Sequence, residues 1–450
     1  MKSPLHEASI LARYSLPLVI TQVGIMTLGL VDIWMVGKLG STALASVALG
    51  DLWVAGTLLV AMGVLLGIDP IVSQAHGARD GRRIALALQQ GVVLALVLSV
   101  PLTVAWLLTE RILVGISGDA EISREAHGYV EAQLFSIAPH FVFVVLRQYL
   151  VGRAILTPTI WVVVIANLFN LLANWALIFG NLGFPALGVN GAGIATGLTR
   201  VLMMIALLVW IVAFRLYRGA WAPWSRASFS LRGLRRILGF GLPVFAQVGL
   251  EVWAFVLAGF FASHLGAREL ASHTIVLRLA SLSFMVPLGI SIACVTRVGN
   301  LIGAGERLQA QRSAWVALAI GTGVMGISAT IFILFREWLP EQFTRDPEII
   351  ALSASILPVA AAFQLFDGAQ VVGCGVLRGM GNTVPAAVFS LLSYYGIALP
   401  FGWWLTFHRG VGLPGIWWGL CIGLGAVSVL LLYWIGRRGP ARAVPARVEA

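Results

Sequence analysis

The chain has 450 residues, of which 59% are apolar and 11% charged, with mean hydropathy +0.92 and a formal net charge of +11. A soluble protein carries about 25% charged residues, so a soluble globular enzyme and a disordered chain are both excluded, and a chain that crosses a bilayer many times remains. The basic excess lies in short clusters between apolar runs, which points to membrane topology rather than to nucleic acid.

The apolar runs are long and continuous, as in Gly91–Leu108 and Val201–Phe214. Barrel strands would alternate apolar and polar residues in segments of about ten, so the spans are predicted to be helices. Twelve are expected, near residues 14–36, 49–73, 85–108, 128–150, 159–180, 190–214, 238–263, 273–296, 312–335, 349–377, 384–406 and 413–435. Each is long enough for a hydrocarbon core of about 30 Å. The N-terminal stretch lacks a small-residue cleavage site and runs on into span 1, which is expected to be retained.

A charge inside the hydrocarbon is expensive, so each one needs a reason. Span 1 contains Pro17, Asp32 and Trp34. Asp32 reads as a proton or cation site facing a wet cavity. Span 2 contains Asp69 before Pro70, which reads as a local cap or a partner of nearby arginines. Span 5 places Asn167, Asn170 and Asn174 on one helical face, where amides either join helices or line a cavity.

Span 6 holds Arg200 and span 8 holds Arg278, both expected to pair with carboxylates. Span 7 carries Pro243, then Gln247 one turn before Glu251, then Phe255. A desolvated carboxyl there suits a group that gains and loses a proton or a metal cation. Span 10 has a stripe of Gln364, Asp367 and Gln370 beside Phe366, which must face the bundle interior. Aromatic faces near these acids can hold organic cations. Pro17 and Pro243 are expected to kink their helices. Cys294, Cys374 and Cys421 are far apart and read as buried apolar residues. The chain has no HExxH, GxSxG or P-loop, and no enzyme constellation is found.

Alternating the spans from a cytoplasmic N-terminus puts 21 lysines and arginines inside, Lys2 and Arg447 among them, and 7 outside. That asymmetry supports twelve spans with both termini cytoplasmic. The longest basic loop, Arg215 to Arg236, divides the chain into six-helix halves, 1–220 and 221–450. An offset of 226 residues superposes them. It aligns Leu16-Pro17 with Leu242-Pro243, Leu39-Gly40 with Leu265-Gly266, and Gly193 with Gly419. An even number of spans per half gives a parallel repeat, with a pseudo-two-fold axis along the membrane normal. Such halves commonly rock about a central cavity.

Five segments carry a family resemblance: LPLVITQVGIMTLGLVDIWMVGKLGSTALAS, PIVSQAHGARD, NLLANWALIFGNLGFPALGVNGAGIATG, GLPVFAQVGLE and FDGAQVVGCGVLRGMGNT. Together they resemble the multidrug and toxic compound extrusion (MATE) family, NorM-type branch, over nearly the whole chain. The resemblance implies a multi-pass protein of the bacterial inner membrane that exports organic cations and drugs in exchange for Na⁺ or H⁺. A monomer is expected, with no cofactor besides the coupling cation and no nucleic-acid partner. It places ion coupling on Glu251, Asp367 and Asp32, with Glu251 and Asp367 as metal ligands if the ion is Na⁺. Asn170, Asn174, Gln247, Gln364, Gln370, Trp34, Phe255 and Phe366 are expected to line the substrate cavity, and Pro17 and Pro243 to act as hinges. The alternatives are a flippase for a lipid-linked precursor and a membrane-embedded enzyme or channel. A flippase cavity should be basic, and the spans hold more acids than arginines.

Overall fold

The structure, a computed structural model, describes residues 4–117 and 119–443; Lys2 and Arg447 lie outside them. Among the described residues all regular structure is helical. Twelve helices are long and apolar enough to cross a membrane: α1 (Pro4–Leu39), α2 (Ser41–Gly77), α3 (Gly81–Leu107), α4 (Ala120–Gly152), α5 (Thr157–Phe179), α6 (Gly188–Ala213), α7 (Leu231–Leu265), α8 (Ala267–Gly303), α9 (Arg307–Leu334), α10 (Pro347–Met380), α11 (Val384–His408) and α12 (Leu413–Arg442).

Every expected span falls on one helix. Several helices outrun their apolar stretch because caps, not hydropathy, set where they end. Asp80 accepts from Arg83 N at 3.0 Å at the start of α3, and Asp119 accepts from Glu121 N at 2.9 Å at the start of α4. Asp346 accepts from Glu348 N at 2.9 Å, with Pro347 in the first turn of α10. A short helix, Thr109–Ser117, sits between α3 and α4 and was not anticipated.

The repeat has a backbone counterpart. Gly40 (φ 125, ψ 174) and Gly266 (φ 143, ψ 171) join α1 to α2 and α7 to α8 with the same conformation. A side chain disfavours that region, so both turns need glycine.

The chain forms two compact units. One is Ile20–Gly241; the other is Leu242 onward together with the start of α1 up to Val19. The divisions fall inside α1 and α7, within two residues of Pro17 and Pro243. Both helices continue through their proline.

In the Ile20–Gly241 unit the core gathers on α4, where Tyr129, Phe141, Phe143 and Tyr149 are fully buried with Trp106 of α3. Small residues bring α6 close to its neighbours, as expected where apolar surface alone drives no association in lipid. A Cβ on Gly191 would lie 2.5 Å from the Leu177 carbonyl of α5, and one on Gly193 would lie 2.5 Å from that of Tyr129.

In the other unit α10 is central and packs against α8, α9 and α12. Gly375 and Gly379 put its backbone on α8, where an added Cβ would lie 2.8 Å from the Ser291 and Val295 carbonyls respectively. Helix α11 contains π-helical turns at Leu391–Ala398 and Trp404–His408. It lies against Gly415, Gly419 and Gly423 of α12.

Candidate functional site

Each unit encloses a carboxylate site. In the Ile20–Gly241 unit, Asp32 of α1 is buried and meets α5 and α6. Asn174 Nδ2 donates to its Oδ1 at 2.6 Å, and Asn170 Nδ2 at 3.3 Å. Thr196 of α6 donates its hydroxyl to Oδ2 in a short bond. Asn174 also donates to Asn170 Oδ1 at 3.1 Å, which ties the amides into one network. All donors are neutral, and among the described residues no salt bridge reaches Asp32.

Arg200, one turn beyond Thr196, acts on Asp32 and Asp51 only through space. Its Nη1 donates to Gln133 Oε1 at 2.9 Å and to Ser136 Oγ at 3.4 Å. The expected direct pairing of Arg200 with a carboxylate is therefore replaced by neutral acceptors. Arg278 is exposed and makes no ion pair among the described residues. Asp69 accepts from Gln148 Nε2 at 2.5 Å. Trp34 stands apart from the Asp32 network, 60% exposed, with Lys38 Nζ 4.1 Å from its ring centre.

The second site joins α7, α10 and α11. Glu251 Oε2 accepts from Gln247 Nε2 at 3.2 Å and from Gln370 Nε2 at 3.3 Å. Asp367 is buried and lies close enough to Glu251 for the two carboxyls to repel each other electrostatically. It accepts no hydrogen bond and makes no ion pair among the described residues.

Phe255 packs edge-on to Phe363, with centroids 6.0 Å apart, and lies 6.4 Å from Tyr394. Gln364 donates to Ser283 Oγ of α8 at 2.5 Å, so this amide braces α10 on α8. Phe366 is partly exposed, touches the Gly425 position and accepts from Ser428 Oγ through its carbonyl at 2.7 Å.

Two residues that sequence reasoning missed complete these sites. Thr196 had a signal in its place one turn before Arg200 on α6. Tyr394 had none. It sits in the first π-helical turn of α11, wholly buried, with a hydroxyl that has no hydrogen-bond partner. It lies in the field of both Glu251 and Asp367. Its neighbour Tyr395 donates to the Leu250 carbonyl at 3.2 Å, which ties α11 to the turn carrying Glu251.

Oε1 of Gln364 and of Gln370 is also buried without a partner. Two carboxylates, amide oxygens and a phenol make an all-oxygen donor set. Such a set suits a hard monovalent cation or a proton; the Cys374 sulfur lies beside it, accepting from Gln370 Nε2 at 3.9 Å.

The MatE family matches residues 17–176 and 243–404. The two matches begin at Pro17 and Pro243, the pair that the internal repeat aligned.

The chain belongs to the MATE family.

A probable multidrug resistance protein NorM of Mesorhizobium japonicum is 34% identical over 432 residues, which span 94% of this chain and 92% of that protein. A multidrug resistance protein MdtK of Yersinia pseudotuberculosis is 30% identical over 438 residues, 96% of each. Among solved structures, the eukaryotic MATE transporter AtDTX14 has the same fold, with TM-score 0.91 at 23% identity over 98% of both chains. The chain is thus a multi-pass membrane protein with a MATE fold, and MATE proteins are transporters rather than enzymes.

Proposed function

We propose that this MATE protein exports organic cations and drugs across the bacterial inner membrane, in exchange for Na⁺ or H⁺, by alternating access. The observation that carries the reading is the pair Glu251 and Asp367, two carboxyls within electrostatic reach of each other in membrane helices, with no cationic side chain paired to either among the described residues. Such a pair is expensive unless it takes a cation from outside the protein. A proton, a sodium ion or an organic cation each supplies one.

Ion and drug compete for the same negative charge, so each lowers the other's affinity by the same factor. Inward movement of one coupling charge releases about 2.3 kcal/mol per 100 mV of membrane potential. Asp32, held by neutral donors from α5 and α6, serves as a second ion site, with Asn170 and Asn174 moving as the carboxyl gains or loses its cation. The halves 1–220 and 221–450 alternate about Pro17 and Pro243. Gln247 and Gln370 hold Glu251, while Phe255, Phe366 and Trp34 offer aromatic faces to the drug. The protein works as a monomer with both termini in the cytoplasm.

The test is ethidium transport in proteoliposomes under an imposed Na⁺ gradient and then an imposed pH gradient, at matched membrane potential. One gradient should drive transport, and Glu251→Gln with Asp367→Asn should abolish it while the thermal transition persists. Full transport by that double variant would overturn the mechanism.

A further inference from the structure

The segment between α6 and α7 is pinned along its length to α3 and α4. Arg153 Nη1 donates to the Leu216 carbonyl at 2.6 Å, and Tyr149 Oη to that of Ala220 at 3.1 Å. Gln89 Nε2 donates to the Ala222 carbonyl at 2.7 Å, and Gln90 Nε2 to that of Ala227 at 3.0 Å. Ser228 Oγ donates back to Gln89 Oε1 at 2.7 Å. At Gly81 the turn between α2 and α3 packs directly on the Gly219 carbonyl, with no room for a Cβ. The loop and this turn therefore form one fixed surface.

That surface is basic. Arg79 and Arg82 on the turn, and Arg215, Arg218, Arg226, Arg232 and Arg235 on the loop and first turns of α7, are all exposed. None makes an ion pair among the described residues. Asp80 is the one acid in residues 78–83 and 214–241, and its carboxylate caps α3. Membrane topology asks for positive charge near a helix end but not for a folded platform to carry it. Nor does helix stability explain Arg232 and Arg235, since cations at a helix N-terminus oppose the macrodipole. Trp221, Trp224 and Phe229 stand exposed among these arginines, with the Trp224 and Phe229 rings 5.7 Å apart.

We infer that this surface is a binding site for anionic phospholipid in the bordering leaflet. Arginines take the phosphodiester headgroup through their guanidinium forks, while Trp221 and Trp224 lie at headgroup depth. The loop joins two membrane helices, so its place at the membrane boundary is set covalently. A fixed basic surface with exposed indoles at that depth matches an anionic lipid in both charge and polarity. The inference rests on the chain spanning a membrane and not on its coupling ion or drug.

The experiment uses the full chain in nanodiscs of phosphatidylcholine with and without cardiolipin. Cardiolipin should raise Tm by about 3 °C or more, and high salt should remove that rise. R215Q/R218Q/R226Q/R232Q/R235Q should melt like the parent in pure phosphatidylcholine and show no cardiolipin-dependent rise. The matching lysine variant, which preserves charge and topology, should keep most of it. If the glutamine variant does not fold, W221S/W224S and the salt series on the parent chain provide the test. A parent chain indifferent to cardiolipin, or a rise that survives both salt and substitution, would overturn the inference. Displacement of cardiolipin by a short RNA at equal charge would reassign the surface to nucleic acid.

Discussion

At Asp32 three neutral donors from two helices converge on one carboxylate, and the balance between them sets whether a buried charge is tolerated. Removing one donor leaves a lone pair that water does not reach, which typically costs about 1–3 kcal/mol. Asn174→Leu should therefore lower the thermal stability by that order. Combined with Asp32→Asn, its effect should shrink, because a neutral amide no longer needs the donor; a double-mutant cycle measures the difference, and strict additivity would show that Asn174 acts elsewhere. Tyr394 poses the opposite case. Its hydroxyl is buried without a partner, so Tyr394→Phe should leave stability unchanged or raise it by about 1 kcal/mol. If that phenol is a ligand for the coupling cation, the same variant should show a several-fold higher half-saturation for the ion in transport. An unchanged half-saturation would remove Tyr394 from the ion site.

At the scale of helices, the two prolines and the glycine seams do different work. Pro17 and Pro243 lie inside continuous helices at the point where each passes from one compact unit to the other. A proline in a helix interior is about 3 kcal/mol less favourable than alanine. Pro17→Ala should accordingly melt no lower than the parent, yet export should slow if the missing backbone bond is what lets the helix bend. Equal export rates in proteoliposomes would make the kink static. The seam between α11 and α12 has no such freedom. A Cβ on Gly419 would come within 2.5 Å of Gly402 Cα and 2.6 Å of the Ala398 carbonyl. Gly419→Val should destabilise by more than the about 1–3 kcal/mol typical of overpacking, since backbone on both sides must move; a Tm within a degree of the parent would show that the helices are not so close. These helices were legible as apolar runs because hydropathy reports the hydrocarbon directly. Their true ends were not, because Asp80, Asp119 and Asp346 cap them outside the apolar stretch. Nor were the π-helical turns of α11, since one extra residue in a turn leaves no mark on composition.

For the whole molecule, the charge asymmetry of the loops predicts both termini in the cytoplasm. A fluorescent protein fused after Ala450 should fluoresce in cells, and an alkaline phosphatase fused there should stay inactive. The reverse pattern would overturn the orientation and move the basic platform to the outer leaflet. Twelve spans, the duplication at 226 residues and the placement of Asp32, Glu251 and Asp367 inside apolar spans all follow from the sequence alone. The reason is energetic: in lipid, a run without charge reads as a span, and a charge within one reads as a candidate site. The tertiary structure decided who meets whom. Thr196 reaches Asp32 from 164 residues away, and Gln370 reaches Glu251 from 119. It also gave the arginines other neighbours than a reading of opposite charges supplies: Arg200 turned to Gln133 and Ser136. Hydrogen-bond partners depend on helix rotation and on close approach at residues such as Gly193 and Gly375. Those are set by packing between segments far apart in the chain, which local pattern does not encode.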